Sequence, residues 1–290
     1  MDIGAGRTDQ VVPVCPRHPD RESYVRCQRC ERPTCPECQR VAPVGIQCVD
    51  CVREGARTAP RTRTTFGGRT AADGRPLVTW AIIAICVVGN VLQRLPRVGD
   101  EVTQAFAFIP AIVLDEPWRL VTVAFMHDSS SLLPFHLALN MYAMWILGPY
   151  LEHVLGRARF AALFAISAVG GSVGFELLVS DFVDPVFGPP NSMVGASGAV
   201  FGLFGALVLV QRHLGMSSGP LLGLLGINLV FGFIYPGIAW QGHLGGLVTG
   251  VACGLALVYA PRRRRSLVQW GLLAAITAGV LAAAVAGAGR

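Results

Sequence analysis

The chain has 290 residues, 52% of them hydrophobic and only 14% charged, with a mean hydropathy of +0.51; this composition excludes an ordinary soluble domain and points to a membrane protein. All 24 basic residues are arginine and 13 of them precede residue 76, so the net charge of +6 gathers in a polar N-terminal region. Only Tyr24 and Phe66 precede Trp80 as aromatics among those arginines, which argues against nucleic acid as a partner, and Met1–Gln10 is polar, so no cleavable signal peptide is expected.

Residues 1–57 hold seven of the nine cysteines. They read C-x2-H-x8-C-x2-C-x4-C-x2-C-x9-C-x2-C, from Cys15 through His18, Cys27, Cys30, Cys35, Cys38 and Cys48 to Cys51. Four close pairs supply eight ligands, enough for two structural zinc ions, each held tetrahedrally. In a reducing cytosol such thiols bind metal rather than form disulfides. A segment this short, with few large apolar residues, is expected to fold only with metal. The spacing allows sequential grouping, with Cys15, His18, Cys27 and Cys30 on one ion, or alternation, with Cys15, His18, Cys35 and Cys38 on one and Cys27, Cys30, Cys48 and Cys51 on the other. The ligand order resembles the B-box class of zinc-binding domains, which implies alternation, although Cys48 and Cys51 stand where that class has histidines. That resemblance also implies that the head offers a surface to a cytosolic protein partner.

Residues 58–76 are rich in threonine, glycine and arginine and read as a flexible linker. Apolar segments follow near Leu77–Gln93, Leu132–Leu151, Arg159–Val179, Met193–Gln211, Gly219–Tyr235, Gln241–Ala260 and Leu267–Ala288. Each has about the length that a helix needs to cross a bilayer, so seven transmembrane helices are expected. The turns after the second, fourth and sixth segments carry Arg157 and Arg159, Arg212, and Arg262–Arg265. The opposite loops carry Asp100, Glu101, Asp115, Glu116, Asp181 and Asp184. The positive-inside rule then places the N-terminal head in the cytosol and makes the second, fourth and sixth helices run inward from the outer face.

That direction gathers four polar residues at one depth. His136 and Asn140 lie one to two turns into the second helix, four apart and so on one face. Ser197 lies about one turn into the fourth helix and His243 less than one turn into the sixth. A serine and a histidine at matching depth on neighbouring helices suit a nucleophile and its base, with amide and imidazole donors near a developing oxyanion. Gly198 and Gly202 on one helix, and Gly242, Gly246 and Gly250 on the other, form small-residue ridges that permit close approach. Asn90, Glu176 and Asn228 are expected to make helix–helix hydrogen bonds, Cys86 and Cys253 to pack as small apolar groups, and His127 to fall in the outer loop.

The motifs "HLALN" (His136–Asn140), "GASG" (Gly195–Gly198), "GHLGGLVTG" (Gly242–Gly250) and "EPWRLVTVAFMH" (Glu116–His127) occur in the expected topological places. Together they resemble the rhomboid intramembrane serine proteases. The resemblance implies an all-α polytopic membrane protein with a six-helix core over residues 77–265, an additional transmembrane helix over 266–290, and the small cytosolic zinc-binding domain ahead of both. By position it implies Ser197 as nucleophile, His243 as general base, and Asn140 and His136 as oxyanion stabilisers, with no cofactor for catalysis. It implies a plasma-membrane enzyme, N-terminus in the cytosol, that cuts transmembrane proteins in the bilayer. It further implies a structural role for Trp118 and Arg119 in the first loop, a ring at Phe201 packed on His243, and a hydrogen-bonding role for Glu152. No carboxylate is placed to orient His243, so a Ser–His dyad is expected. The alternative is a catalytically silent rhomboid-like scaffold that binds membrane proteins and recruits partners through the zinc head.

Overall fold

The computed structural model describes residues 12–58, 63–69, 74–130, 134–179, 192–235 and 237–288. Leu132, Asp181 and Asp184, assigned above to a helix start and an outer loop, lie outside the described residues. The chain divides into two compact units, 1–61 and 62–290.

The first unit is built from two short hairpins and one helix. Strands β1 (Val14–Cys15) and β2 (His18–Glu22) pair antiparallel, as do β3 (Gln39–Val41) and β4 (Ile46–Cys48), and α1 (Val49–Thr58) follows β4 directly. Its buried centre is made of the cysteines themselves. Cys15, Cys35 and Cys38 pack with Val49 in one cluster, and Cys27, Cys48 and Cys51 with Cys30 in another.

In the second unit, seven long helices stand among the described residues where the apolar segments predict them: α2 (Leu77–Gln93), α5 (Phe135–Leu155), α6 (Arg157–Leu178), α7 (Ser197–His213), α8 (Gly219–Ile234), α9 (Trp240–Val258) and α10 (Arg265–Gly287). Two short helices, α3 (Gly99–Phe106) and α4 (Arg119–Thr122), lie in the loop between α2 and α5. Helices α6 and α9 and the span Arg262–Gly287 are each long and apolar enough to cross a membrane, and α2 and α8 are shorter apolar helices. The burial pattern is that of a protein in lipid. Val88, Val91, Ile227, Phe233, Val248, Leu267 and Val285 are exposed, whereas Asn140, Glu152, Ser167, Ser172, His243 and Gln269 are buried.

Helices α6, α7 and α9 pack through glycine. A Cβ on Gly198 would sit 3.1 Å from the carbonyl oxygen of Gly242, and one on Gly171 would sit 3.1 Å from the Cα of Gly198. One on Gly246 would collide with the Gly198 carbonyl, and one on Gly250 with the Gly202 backbone. The ridges predicted on α7 and α9 are therefore real contacts, and Gly170, Gly171 and Gly174 supply a third on α6. The α2 N-terminus is closed by Glu152, whose buried carboxylate accepts from the Val78 and Thr79 amides at 3.1 and 2.8 Å and from Thr79 Oγ1 at 2.8 Å. A carboxylate there satisfies otherwise orphaned amides and meets the positive end of the helix dipole.

The reading of 58–76 as a flexible linker needs correction. Its first residue closes α1, and residues 63–69 form a tight turn docked on the helix ends of the second unit. Phe66 is completely buried, its carbonyl accepts from Gln269 Nε2 at 3.0 Å, and Arg265 Nη1 donates to the Thr65 carbonyl at 2.8 Å. Gln269 also donates to the Leu257 carbonyl and accepts from Arg159 Nε at 2.8 Å, so one buried amide ties this strap, α6, α9 and α10 together. A single aromatic in a polar, glycine-rich run overrides the composition, because its burial is independent of its neighbours' polarity.

Candidate active site and metal centres

Three helices begin around one point. Ser197 is the first residue of α7, His136 the second of α5 and His243 the fourth of α9. Ser197 lies at the mouth of its helix rather than a full turn inside, because α7 starts four residues later than the apolar run. As first residue of α7, Ser197 has a backbone N–H with no intrahelical partner, at the positive end of the helix dipole.

His136 has a defined orientation. The Asp128 amide donates to its Nδ1 at 3.2 Å. In the neutral imidazole this makes Nδ1 the acceptor and puts the proton on Nε2. Nε2 faces Gly195, where an added Cβ would lie 2.8 Å from Nε2 and 3.6 Å from Ser197 Oγ. Gly195 has φ +130°, so its lack of a side chain is required both by the backbone and by the approach of the imidazole. A donor thus converges with the serine over a bare backbone. Asn140 is buried one turn below, and its Nδ2 donates to the His136 carbonyl at 2.9 Å, leaving the second amide hydrogen for another acceptor.

His243 is buried, and its ring stacks on Phe201 of α7 with centroids 4.3 Å apart and planes at 11°. Its Nδ1 lies beside Gly232 of α8 and has no hydrogen-bond partner among the described residues. The ring is held by stacking, and among the described residues no carboxylate orients it. Ser197 and His243 stand on facing first turns with no hydrogen bond between them among the described residues. Such contacts are often long before substrate binds.

The first loop is anchored as expected. Arg119 is buried, pairs with Glu116 and donates to the Ala107 carbonyl at 2.7 Å, while Trp118 Nε1 reaches the Ala105 carbonyl at 3.4 Å. The sequence assigns His127 no role beyond its place in the loop, because a histidine in a polar loop gives no periodic signal. It is completely buried, with its ring edge-to-face on His136 at 5.3 Å and both ring nitrogens unpartnered among the described residues. The expected helix–helix hydrogen bonds are absent among the described residues: Asn228 donates to the Leu224 carbonyl of its own helix, Asn90 bonds Arg94 next to its own helix and the Asp128 carbonyl, and Glu176 has no partner among the described residues. Cys86 and Cys253 are buried, as expected of small apolar groups.

In the first unit the eight ligands form two groups. Cys15, His18, Cys35 and Cys38 make one, and Cys27, Cys30, Cys48 and Cys51 the other, with the ligand atoms of each group within 4.8 Å of one another. This is the alternating arrangement. His18 Nδ1 lies 3.2 Å from Cys35 Sγ and 3.4 Å from Cys38 Sγ, and Cys30 Sγ lies 3.8 Å from Cys48 Sγ. Sulfurs about 3.8 Å apart are what a tetrahedral ion with metal–sulfur bonds near 2.3 Å requires. Burial, with the sulfurs of Cys35 and Cys15, pushes the Cys38 thiol up to about 11. Burial and the sulfurs of Cys30, Cys48 and Cys27 push Cys51 up to about 12. Around Cys15 burial acts in the same direction but is outweighed by the amides of Cys35, Arg17 and His18, which hold it down at about 6. A cation at the centre of each group is the natural means of ionising all its thiols together.

The model of the Rhomboid domain matches residues 114–260. The rhomboid protease GluP of Bacillus subtilis is 31% identical over 221 residues, which is 72% of this chain and 41% of that protein. The putative rhomboid protease YdcA of Bacillus subtilis is 34% identical over 192 residues, 64% of this chain and 86% of the relative. The rhomboid protease GlpG of Klebsiella pneumoniae is 32% identical over 197 residues, covering 64% of this chain and 65% of that one.

Proposed function

Because the chain belongs to the rhomboid family of intramembrane proteases, we propose that it is an active serine endopeptidase cutting transmembrane proteins within the bilayer. The observation that carries this reading is the convergence of Ser197 Oγ and His136 Nε2 over Gly195, with the His243 ring stacked on the helix that bears the serine. In the proposed reaction Ser197 Oγ attacks the scissile carbonyl and its proton passes to the unprotonated ring nitrogen of His243. The developing oxyanion receives hydrogen bonds from His136 Nε2, the second hydrogen of Asn140 Nδ2 and the Ser197 backbone N–H. Collapse of the tetrahedral intermediate breaks the C–N bond, and His243 returns the proton to the leaving amine. A water, deprotonated by the same histidine, then releases the acyl group.

The depth of Ser197 favours substrates whose helices unwind readily near the membrane surface, since a helix hides its carbonyls in hydrogen bonds. The arginine-rich turns favour a cytosolic N-terminus, and we place the protein in the plasma membrane. Thiolate-rich tetrahedral groups in the head favour zinc, as a structural ion. The second reading is a catalytically silent scaffold that binds membrane proteins and recruits partners through the zinc head. Cleavage of a single-span substrate in proteoliposomes separates the two. Ser197→Ala and His243→Ala should each abolish cleavage while leaving the thermal transition of the protein unchanged. Near-wild-type cleavage by either variant overturns the dyad.

A further inference from the structure

The turn between β3 and β4 presents two valine side chains outward, while Gln28 braces it from behind. The register pairs Val41 with Ile46, and the Ala42 amide donates to the Gly45 carbonyl at 2.9 Å, so the chain reverses over Ala42, Pro43, Val44 and Gly45. Val41 is 95% exposed and Val44 74% exposed. The tip is stiff: Pro43 fixes its own φ, Gly45 sits in the left-handed region at φ +65°, and the Gln28 amide donates to the Ile46 carbonyl at 2.9 Å. Two exposed valines on a rigid turn bring no stability to the head, which suggests that they have another surface to enter.

The chemistry of the surroundings narrows what that surface is. No acidic residue occurs between Cys38 and Val49, whereas Arg40 stands exposed at the base of the turn. Its guanidinium donates to the Glu37 and Gln39 carbonyls at 3.0 and 2.7 Å and meets no carboxylate among the described residues. An apolar tip flanked by one exposed arginine and no acid complements an anionic lipid surface. The tip is convex and only four residues long, far short of the area a specific protein interface buries. Small area suffices for a bilayer, because the head is covalently joined to the unit of membrane helices, so membrane contact is an intramolecular event.

We propose that the β3–β4 turn is a membrane-contacting tip, with Val41, Pro43 and Val44 entering the interface of an anionic leaflet and Arg40 pairing with lipid phosphates. This holds whether or not the enzyme is active. The test uses the full chain, loaded with zinc, carrying Val44→p-benzoylphenylalanine in vesicles of phosphatidylethanolamine and phosphatidylglycerol. Irradiation should add a lipid mass to the tryptic peptide that follows Arg40, detected by mass spectrometry. Vesicles of phosphatidylcholine alone, or addition of Arg40→Gln with digestion by a second protease, should lower that yield about fivefold, the factor that one arginine contributes at an anionic surface. Adducts only to protein, from a partner or a second copy, or no adduct at all, overturn the proposal. Equal yields in both vesicle types overturn the anionic preference. Far-ultraviolet circular dichroism and zinc content matching the unmodified chain show that any loss is not misfolding.

Discussion

At His136 the two ring nitrogens face different neighbours, and that difference fixes what the residue can do. Nδ1 is committed to the Asp128 amide, so only Nε2 is available to a substrate oxygen. The bare backbone at Gly195 leaves it room, since an added methyl would stand 2.8 Å from Nε2. Gly195→Ala is therefore expected to push the imidazole aside and strain a backbone with φ +130°. Cleavage should fall at least about tenfold, mostly in kcat, with stability reduced by about 1–2 kcal/mol; a variant with wild-type kcat would show that His136 donates nothing to the transition state. Asn140 makes the companion case. Its amide keeps one hydrogen on the His136 carbonyl, so Asn140→Ala removes both a prospective oxyanion donor and a helix contact. The expected loss is about 10- to 1000-fold in kcat with KM little changed, measured on the same single-span substrate. A rise in KM alone would make Asn140 a ground-state contact.

At the scale of elements, the site exists because α7 and α9 come within backbone distance of each other. A Cβ at Gly246 would collide with the Gly198 carbonyl, one residue from Ser197. Gly246→Ala should separate the two first turns, cost about 1–3 kcal/mol and abolish cleavage, whereas Gly271→Ala on α10, where a Cβ meets nothing within 4 Å, should change neither. Thermal unfolding in detergent and a cleavage assay decide it together. Much of this is legible in the sequence, for a physical reason: glycines four apart in an apolar run permit close approach, realised on α7 and α9 though not at Gly219 and Gly223 of α8, and the positive turns set helix direction. Helix direction and segment length together put the polar residues at helix starts at one depth. What stays hidden depends on tertiary neighbours. His127 sits in a loop, where no periodicity reports burial, and its contact with His136 arises only from the loop's path. The strap at 63–69 reads as linker because one phenylalanine among arginines and threonines carries no pattern. Yet a Cβ on Gly68 would collide with the Leu155 carbonyl, and Phe66 is completely enclosed. Phe66→Ala should cost about 3–5 kcal/mol, read as a lower thermal midpoint of the membrane unit.

For the molecule as a whole, each of the two units is stabilised internally by opposite physics. The helical unit puts apolar side chains outward into lipid and gathers its polar groups inside, whereas the head has neither lipid nor a core of ordinary hydrophobes. Its buried centre consists of seven cysteines with Val49, and Val41, Val44 and Tyr24 are turned outward. Burial, with the neighbouring sulfurs, pushes the thiols of Cys38 and Cys51 upward, while backbone amides hold Cys15 and Cys27 down, so each group mixes thiols that ionise readily with thiols that resist it. Metal is therefore expected to supply nearly all of the head's stability, on the order of 10 kcal/mol per site, and none of the helical unit's. The purified chain should contain two zinc ions, and a strong chelator should abolish amide protection in residues 12–58 while leaving that of α6, α7 and α9 intact, as hydrogen exchange would resolve. Cys30→Ser and Cys35→Ser separate the sites, because the alternating groups assign them to different ions. Each variant should retain one zinc, and because the β3–β4 pairing sets Gln39, the neighbour of Cys38 in one group, opposite Cys48 of the other, each should still loosen the whole head. Loss of protection confined to one hairpin would mean that the two metal sites fold independently, and a metal content below two in the unmodified chain would remove one of them.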